Sequence, residues 1–233
     1  YLDPEIKHQR KLTSANSINV ALWLPQMFYY FLAYQQVQNR AQKLVFSVPS
    51  GNFGNICAGL LAREMGLPID HFIAATNEND VVTRFLKTQS YEPAPSIQTL
   101  SNAMDVGDPS NFVRILELFS NNFKDLQESL SSYSFTDAQT KSAIKDVHGE
   151  TGYVLDPHGA VGYLGLQEFL KTHKNYFGIF LETAHPVKFL ETVEGVLQQK
   201  IPLRAEIEEL KQKKKRSIQI EDYDQLKSFL LNS

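Results

Sequence analysis

The fold turns on the stretch Ser50-Gly51-Asn52-Phe53-Gly54-Asn55. Ahead of it runs a β-like segment, Lys43-Leu44-Val45-Phe46-Ser47-Val48, and behind it an apolar helical segment from Ile56 to Met65. A strand, a Gly/Asn-rich turn and a helix in that order build an anion cradle. The free N–H groups of the helix's first turn converge on one spot, and the helix dipole makes that spot positive. The two glycines let the backbone come close to a ligand. No basic side chain stands in the loop, so a phosphate held there is held by main-chain amides. A plain strand-to-helix connection in a parallel sheet has the same local look. The G-x-x-G spacing is neither the dinucleotide fingerprint nor a P-loop.

Working outward, the chain alternates strand and helix. The pattern predicts a helix over 14–39, with cap-type Ser14, Asn16 and Ser17 at its start and a kink or break at Pro25. It then predicts strand 43–48, helix 54–65, strand 69–75 and helix 79–87. Residues 88–110, rich in Ser, Pro, Asn and Gln, read as a long functional or mobile loop. Helices follow over 111–130 and 136–148, and another runs from Asp156-Pro157 to about residue 172, with Asp156 as N-cap. A buried strand spans 176–181, a polar turn covers Glu182 to Pro186, and a terminal helix covers 221–231. This order implies an α/β fold, a doubly wound, mostly parallel sheet flanked by helices. The domain reading is 1–40 as the tail of a first, smaller α/β domain, 41–190 as the cofactor-anchoring domain, and 191–233 as a helical tail.

Composition narrows the function classes. The 233 residues are 42% hydrophobic and 21% charged, with net charge −3, so no bulk positive field invites nucleic acid. No apolar run approaches the roughly 20 residues that cross a bilayer. Cys57 is the single cysteine, which rules out an intrachain disulfide and fits a reducing, cytoplasmic setting. Cys57 reads as a buried, inert thiol. The six histidines show no metal-ligand spacing. The chain opens Tyr1-Leu2-Asp3-Pro4, with no initiator Met and no signal pattern, and reads as part of a longer protein.

Ligands of doubly wound sheets sit at the carboxyl ends of the strands. Three polar clusters fall there: Ser50 to Asn55, Thr76 to Asp80, and Glu182 to His185. A fourth, Ser14 to Asn19, opens a helix.

Six segments in one order then become specific: Ser14-Ala-Asn-Ser-Ile-Asn19; Val48-Pro-Ser-Gly-Asn-Phe-Gly-Asn55; Ala75-Thr-Asn-Glu-Asn-Asp80; Leu100-Ser-Asn-Ala-Met-Asp105 with Ser110-Asn-Phe112; Asp156-Pro-His-Gly-Ala160; and Thr183-Ala-His-Pro186. Together they resemble the C-terminal half to two-thirds of the threonine synthase family, in the form found in many bacteria and in fungi, over about residues 12–190. The resemblance implies a fold type II enzyme that uses pyridoxal 5′-phosphate to convert O-phospho-L-homoserine and water to L-threonine and phosphate, the last step of threonine biosynthesis. It implies that Gly51, Asn52, Phe53, Gly54 and Asn55 cradle the cofactor phosphate and that Thr183 hydrogen-bonds the pyridine nitrogen. It places Asn16, Ser17 and Asn19 at the substrate, and Asp156 and His158 along the cleft. The family often has Thr where Gly159 stands and Asp where Asn55 stands.

The family's Schiff-base lysine lies in a Phe-Lys-Asp segment upstream of the Asn-Ser-Ile-Asn motif, so the resemblance puts it outside this sequence. Phe123-Lys124-Asp125 looks like that segment but follows the phosphate loop, so Lys124 reads as a surface lysine. The expected partners are the small-molecule substrate and the missing N-terminal part of the same protein, with no nucleic acid and no membrane. The nearest rival reading is a serine/threonine dehydratase of the same fold type. A different class is a non-catalytic module that binds a phosphorylated metabolite.

Overall fold

The computed structural model describes residues 2–13, 16–38 and 41–232. Two compact units form, Ser17–Ile201 and Tyr1–Asn16 with Pro202–Ser233.

In the larger unit, β1 (Lys43–Pro49) is buried at every position after Lys43, as a central strand covered on both faces must be. β2 (His71–Thr76) is buried throughout. With β3 (Leu130–Ser134) and β4 (Tyr176–Phe180) they form a parallel sheet in the order β3-β2-β1-β4. The two-residue period sorts the core. Leu44, Phe46, Val48, Phe72 and Ala74 pack on one face with residues of the first helices, while Val45 and Ile73 pack on the other with Leu166 and Phe169.

Residues Pro4–Gln9 form α1. Next come α2 (Trp23–Gln35), α3 (Gly54–Glu64) and α4 (Val81–Thr88). α2 buries Trp23, Met27 and Tyr30 but leaves Leu24, Phe28 and Leu32 more than half exposed, an apolar stripe at four-residue spacing. α5 (Phe112–Leu118), α6 (Phe123–Ser129) and α7 (Asp137–Thr151) follow, the last opened by a capping box between Thr136 and Gln139. α8 (Pro157–Leu170) lies on the sheet and α9 (Leu190–Leu197) beside α7.

The smaller unit holds α1, α10 (Ala205–Gln212) and α11 (Tyr223–Asn232). Tyr223 donates to Asp3 (2.6 Å), and Lys227 reaches both Asp3 (3.0 Å) and Glu5 (2.8 Å). These partners, Tyr223 foremost, hold the Asp3 carboxyl well below its ordinary range.

The predicted strands 43–48, 69–75 and 176–181 and the helices starting near 54, 79, 136, 156 and 221 are present within a few residues. Three readings are corrected. The helix over 14–39 is a 3-10 turn, Val20–Leu22, followed by α2; positions 14, 15, 39 and 40, with the expected cap Ser14, lie outside the described residues. Pro25 is the third residue of α2, in the first turn where a missing N–H breaks no intrahelical bond, so it neither kinks nor breaks the helix. The helix over 111–130 is two helices. Ser120 and Asn121 adopt left-handed φ of 51° and 57°, which ends α5, and Asn122 caps α6 by accepting from the N–H groups of Lys124 and Asp125. The strand after it, β3, falls where no strand is predicted.

The 88–110 segment is irregular apart from a turn at Asn102–Met104, as its composition suggests. It is tied down rather than loose. Asn77 Nδ2 donates to Asp105 (2.9 Å) and Thr99 (2.8 Å), and Asn79 Oδ1 accepts from the Ile97 N–H (2.7 Å).

Candidate functional site

The carboxyl ends of β1 and β4 bring two of the sequence clusters together. β1 ends at Pro49, and the Ser50 N–H bonds across to the Ala75 carbonyl (2.8 Å). The chain then turns through Gly51, Asn52 and Phe53. Phe53 sits in the left-handed region (φ 61°) as the residue before α3, and it gives the helix no side-chain cap. The first-turn amides of α3 are therefore not taken by a capping side chain. A cradle of main-chain N–H groups needs that arrangement.

The glycines also serve close packing within the molecule itself. A Cβ on Gly51 would stand 2.6 Å from the Met104 Cα and 2.9 Å from the Ala103 carbonyl oxygen. A Cβ on Gly54 would stand 2.6 Å from the Ser17 Cβ. Close approach is required, but to the molecule's own neighbouring loops. Asn52 is likewise engaged. Its Oδ1 accepts from the Ser110 N–H (2.7 Å) and hydroxyl (2.9 Å), and its Nδ2 donates to Ser17 Oγ (3.1 Å). The Phe53 side chain points into the core against Phe112. Within the loop, main-chain groups and Asn55 are what remain for a ligand.

Asn55 and Thr183 line one cleft of about 600 Å³ with Gln26, Tyr29, Leu32, Leu181 and Glu182. Asn55 is oriented by the buried Tyr30, whose hydroxyl donates to Asn55 Oδ1 (2.7 Å). Thr183 is carried on the turn after β4, where the Leu181 N–H still bonds Ser47 (2.9 Å).

Asn111, read in sequence only as part of the Ser110-Asn-Phe112 segment and given no role in the site, is fully buried. Its Nδ2 donates to the Asn52 carbonyl (2.9 Å) and to Ser17 Oγ (3.1 Å), while its Oδ1 accepts from Arg114 (2.8 Å). Arg114 also donates to the Ile18 carbonyl (2.7 Å) and lies over the Trp23 ring. Asn111 and Arg114 thus lash the 17–19 turn to the glycine loop. Asn19 caps the 3-10 turn by accepting from the Ala21 N–H (3.1 Å). Asn16 is exposed and falls in the smaller unit.

Asp156 and His158 lie at the start of α8, both buried. Asp156 is the expected N-cap, with Oδ1 accepting from the His158 N–H (2.8 Å) and bonded to His158 Nδ1 (2.7 Å). His158 Nε2 accepts from the Ala103 N–H (3.2 Å), so Nδ1 carries the proton. Burial alone would raise the Asp156 carboxyl, but the hydrogen bonds from His158 outweigh it and hold it below the usual range. Glu182 Oε1 accepts from the Asp156 N–H (3.0 Å). Burial, aided by the Asp156 charge, pushes Glu182 up to about 8. Gly159 is explained here too. A Cβ at that position would stand 1.7 Å from Glu182 Oε2, so a side chain at 159 and this carboxyl exclude each other.

Two other sequence readings can be placed. Burial pushes the Cys57 thiol up to about 12, leaving it unreactive. Lys124 stands on α6 with its side chain 83% exposed, 3.9 Å from Glu128. Among the described residues, no helix is long and apolar enough to cross a membrane.

A family model described as threonine synthase, C-terminal, matches residues 159–230. The threonine synthase of Haemophilus influenzae is 43% identical over 99% of this chain and 54% of its own length. A crystal structure of pyridoxal-phosphate-bound threonine synthase from Brucella melitensis superposes with a TM-score of 0.89 at 31% identity, over 99% of this chain and 55% of that one. The processed form of threonine deaminase isoform 2 from Solanum lycopersicum shares the fold alone, at 18% identity and a TM-score of 0.53 over 74% of this chain and 46% of that one. The parallel sheet with its cleft at the strand ends is the fold of type II pyridoxal-phosphate enzymes. Within that class, the chain belongs to the threonine synthase family, matching the C-terminal part of its members. It spans about half the length of the curated relatives it matches. The dehydratase-type reading is left with a distant structural relative only.

Proposed function

We propose that this chain is the cofactor-anchoring part of a threonine synthase, which converts O-phospho-L-homoserine and water to L-threonine and phosphate in the cytoplasm. One observation carries the reading. The α3 N-terminus, through Asn55, and the Thr183 turn meet on one cleft at the carboxyl ends of β1 and β4. The residues fit pyridoxal phosphate. An uncapped helix start suits its phosphate. A hydroxyl at Thr183 suits its ring nitrogen, and the cleft of about 600 Å³ is ample for cofactor and substrate.

When bound, the cofactor supplies an electron sink for carbanion chemistry at the substrate Cα. The main-chain amides at Gly51 to Asn55 hold the phosphate end. Thr183 offers a neutral hydroxyl rather than a carboxylate, which tempers protonation of the ring nitrogen. Ser17 and Asn19, braced by Asn111 and Arg114, face the substrate side. The lysine that moves protons at Cα and Cβ is supplied by sequence outside these 233 residues, and the chain alone does not turn over substrate.

Two measurements test this. The complete protein should release phosphate and threonine from O-phospho-L-homoserine and leave threonine itself unchanged; deamination of threonine instead would favour the dehydratase reading. This chain should bind pyridoxal phosphate without forming a borohydride-reducible adduct. Such an adduct at one defined lysine here would sink the assignment of the lysine to another segment.

A further inference from the structure

Glu182 is the ionisable acid of the cleft, and no motif accounts for it. Two buried side-chain polar atoms among the described residues lack a hydrogen-bond partner, His148 Nδ1 and Glu182 Oε2, and only the second belongs to the cleft. A buried carboxyl oxygen with no partner is costly, and an apolar residue of the same length would avoid that cost. Its place is nevertheless prepared on α8. Gly159 leaves a notch in which Oε2 sits 1.7 Å from where a Cβ would be, and the Asp156 N–H meets Oε1 at 3.0 Å. Thr183 follows Glu182 directly and is exposed. The Leu181–Ser47 bond closes β4, and the Glu182 carboxyl then ties the turn by a hydrogen bond to Asp156 at the start of α8.

We infer that Glu182 is a positioning residue for Thr183: its carboxyl, seated in the notch over Gly159, tethers the turn after β4 to the start of α8 and so holds the Thr183 hydroxyl at the cleft. The inference rests on the reading of Thr183 as the ring-nitrogen contact. The titratable groups around Glu182 are Asp156 and His158 of α8, Tyr153 ahead of α8, and Tyr29 of α2 across the cleft, with His185 further along its own turn. Burial disfavours a charge on Glu182 most, and the ionised Asp156 beside it acts in the same direction.

The test uses this chain, pyridoxal phosphate as probe, and four variants. Glu182→Ala should weaken the cofactor roughly tenfold, the lower end of what losing an orienting partner costs at metal sites. Glu182→Gln, which keeps the neutral shape, should restore most of the affinity. Wild-type affinity should fall, relative to Glu182→Gln, as pH rises through about 8. Gly159→Ala should weaken binding like Glu182→Ala, yet add little when the two are combined, because the notch is then already empty. Equal affinity of Glu182→Ala and wild type overturns the inference. If wild type itself fails to bind the cofactor, the proposed function has failed instead, and hydrogen exchange of the free chain decides this point. Amides of Thr183 to His185 should exchange faster in Glu182→Ala but not in Glu182→Gln; unchanged exchange overturns the tether.

Discussion

The cleft is gripped from two sides that are built differently. On the α3 side, the glycine loop is wedged between the Met104 backbone and the Ser17 side chain and laced by Asn52 and Asn111, so its conformation is fixed several times over. On the β4 side, Thr183 rides on a turn tied to α8 through one carboxyl. Main-chain amides need an immobile frame, because each must aim at the same point. A single hydroxyl needs only one distance to be right. The first grip is set by packing and the second by a titratable contact, so they should fail under different perturbations.

The largest effect should come from Gly51→Ala. The added methyl meets backbone atoms of the 101–105 segment at 2.6 and 2.9 Å, and backbone cannot step aside as a side-chain tip can. Roughly 3 kcal/mol of stability should be lost, the upper range for overpacking, together with cofactor binding. A variant that unfolds at the wild-type urea midpoint would show this grip to be looser than described. Asn111→Ala comes next, at about 2 kcal/mol, since it strips three hydrogen bonds from a fully buried site and leaves Arg114 short of a partner. Its diagnostic sign is a loss of cofactor affinity at the phosphate end, with exchange at Thr183 unchanged.

Two titrations of opposite sign sharpen the contrast. His71, at the far end of β2, is lowered from 6.5 to about 4, chiefly by burial. The unfolded chain binds the extra proton between those values, so stability from this group falls as pH drops from 6.5 toward 4. Glu182 is raised from 4.5 to about 8, so the folded chain holds the extra proton, and stability from this group falls as pH rises across that window and levels off above it. Glu182→Gln should remove the second slope and leave the first, read as urea midpoints from pH 4 to 9. The smallest effect belongs to Lys124→Ala, below about 0.5 kcal/mol, with cofactor binding untouched.

How much of this is legible in sequence follows from how local each signal is. β1 and β2 announce themselves as short apolar runs, and Asp156-Pro157 announces α8, because each signal lies within a few neighbouring residues. β3 does not, since three of its five residues are serines that read as turn formers. Ser132 belongs in a strand only because its hydroxyl meets the Ala74 carbonyl (2.8 Å) and Thr83 (2.6 Å), and both partners are distant in sequence. The glycine loop and Thr183 were visible through their order along the chain. Asn111 stands in one of the same ordered segments, but its bracing role was not visible, as it bonds to Ser17, which lies 94 positions away. Gly159 was visible as a departure from the family pattern, but its cause, the carboxyl of Glu182, required the fold.

The strand order also sets a timetable. Along this chain β1 is made shortly before β2, with which it pairs, but its other neighbour, β4, comes from near the end of the larger unit. Closing so long a loop is slow, and pairings between remote segments form late. The phosphate cradle can thus be in place while Thr183 has yet to be synthesised, and a nascent chain stalled between the two would carry half a binding site.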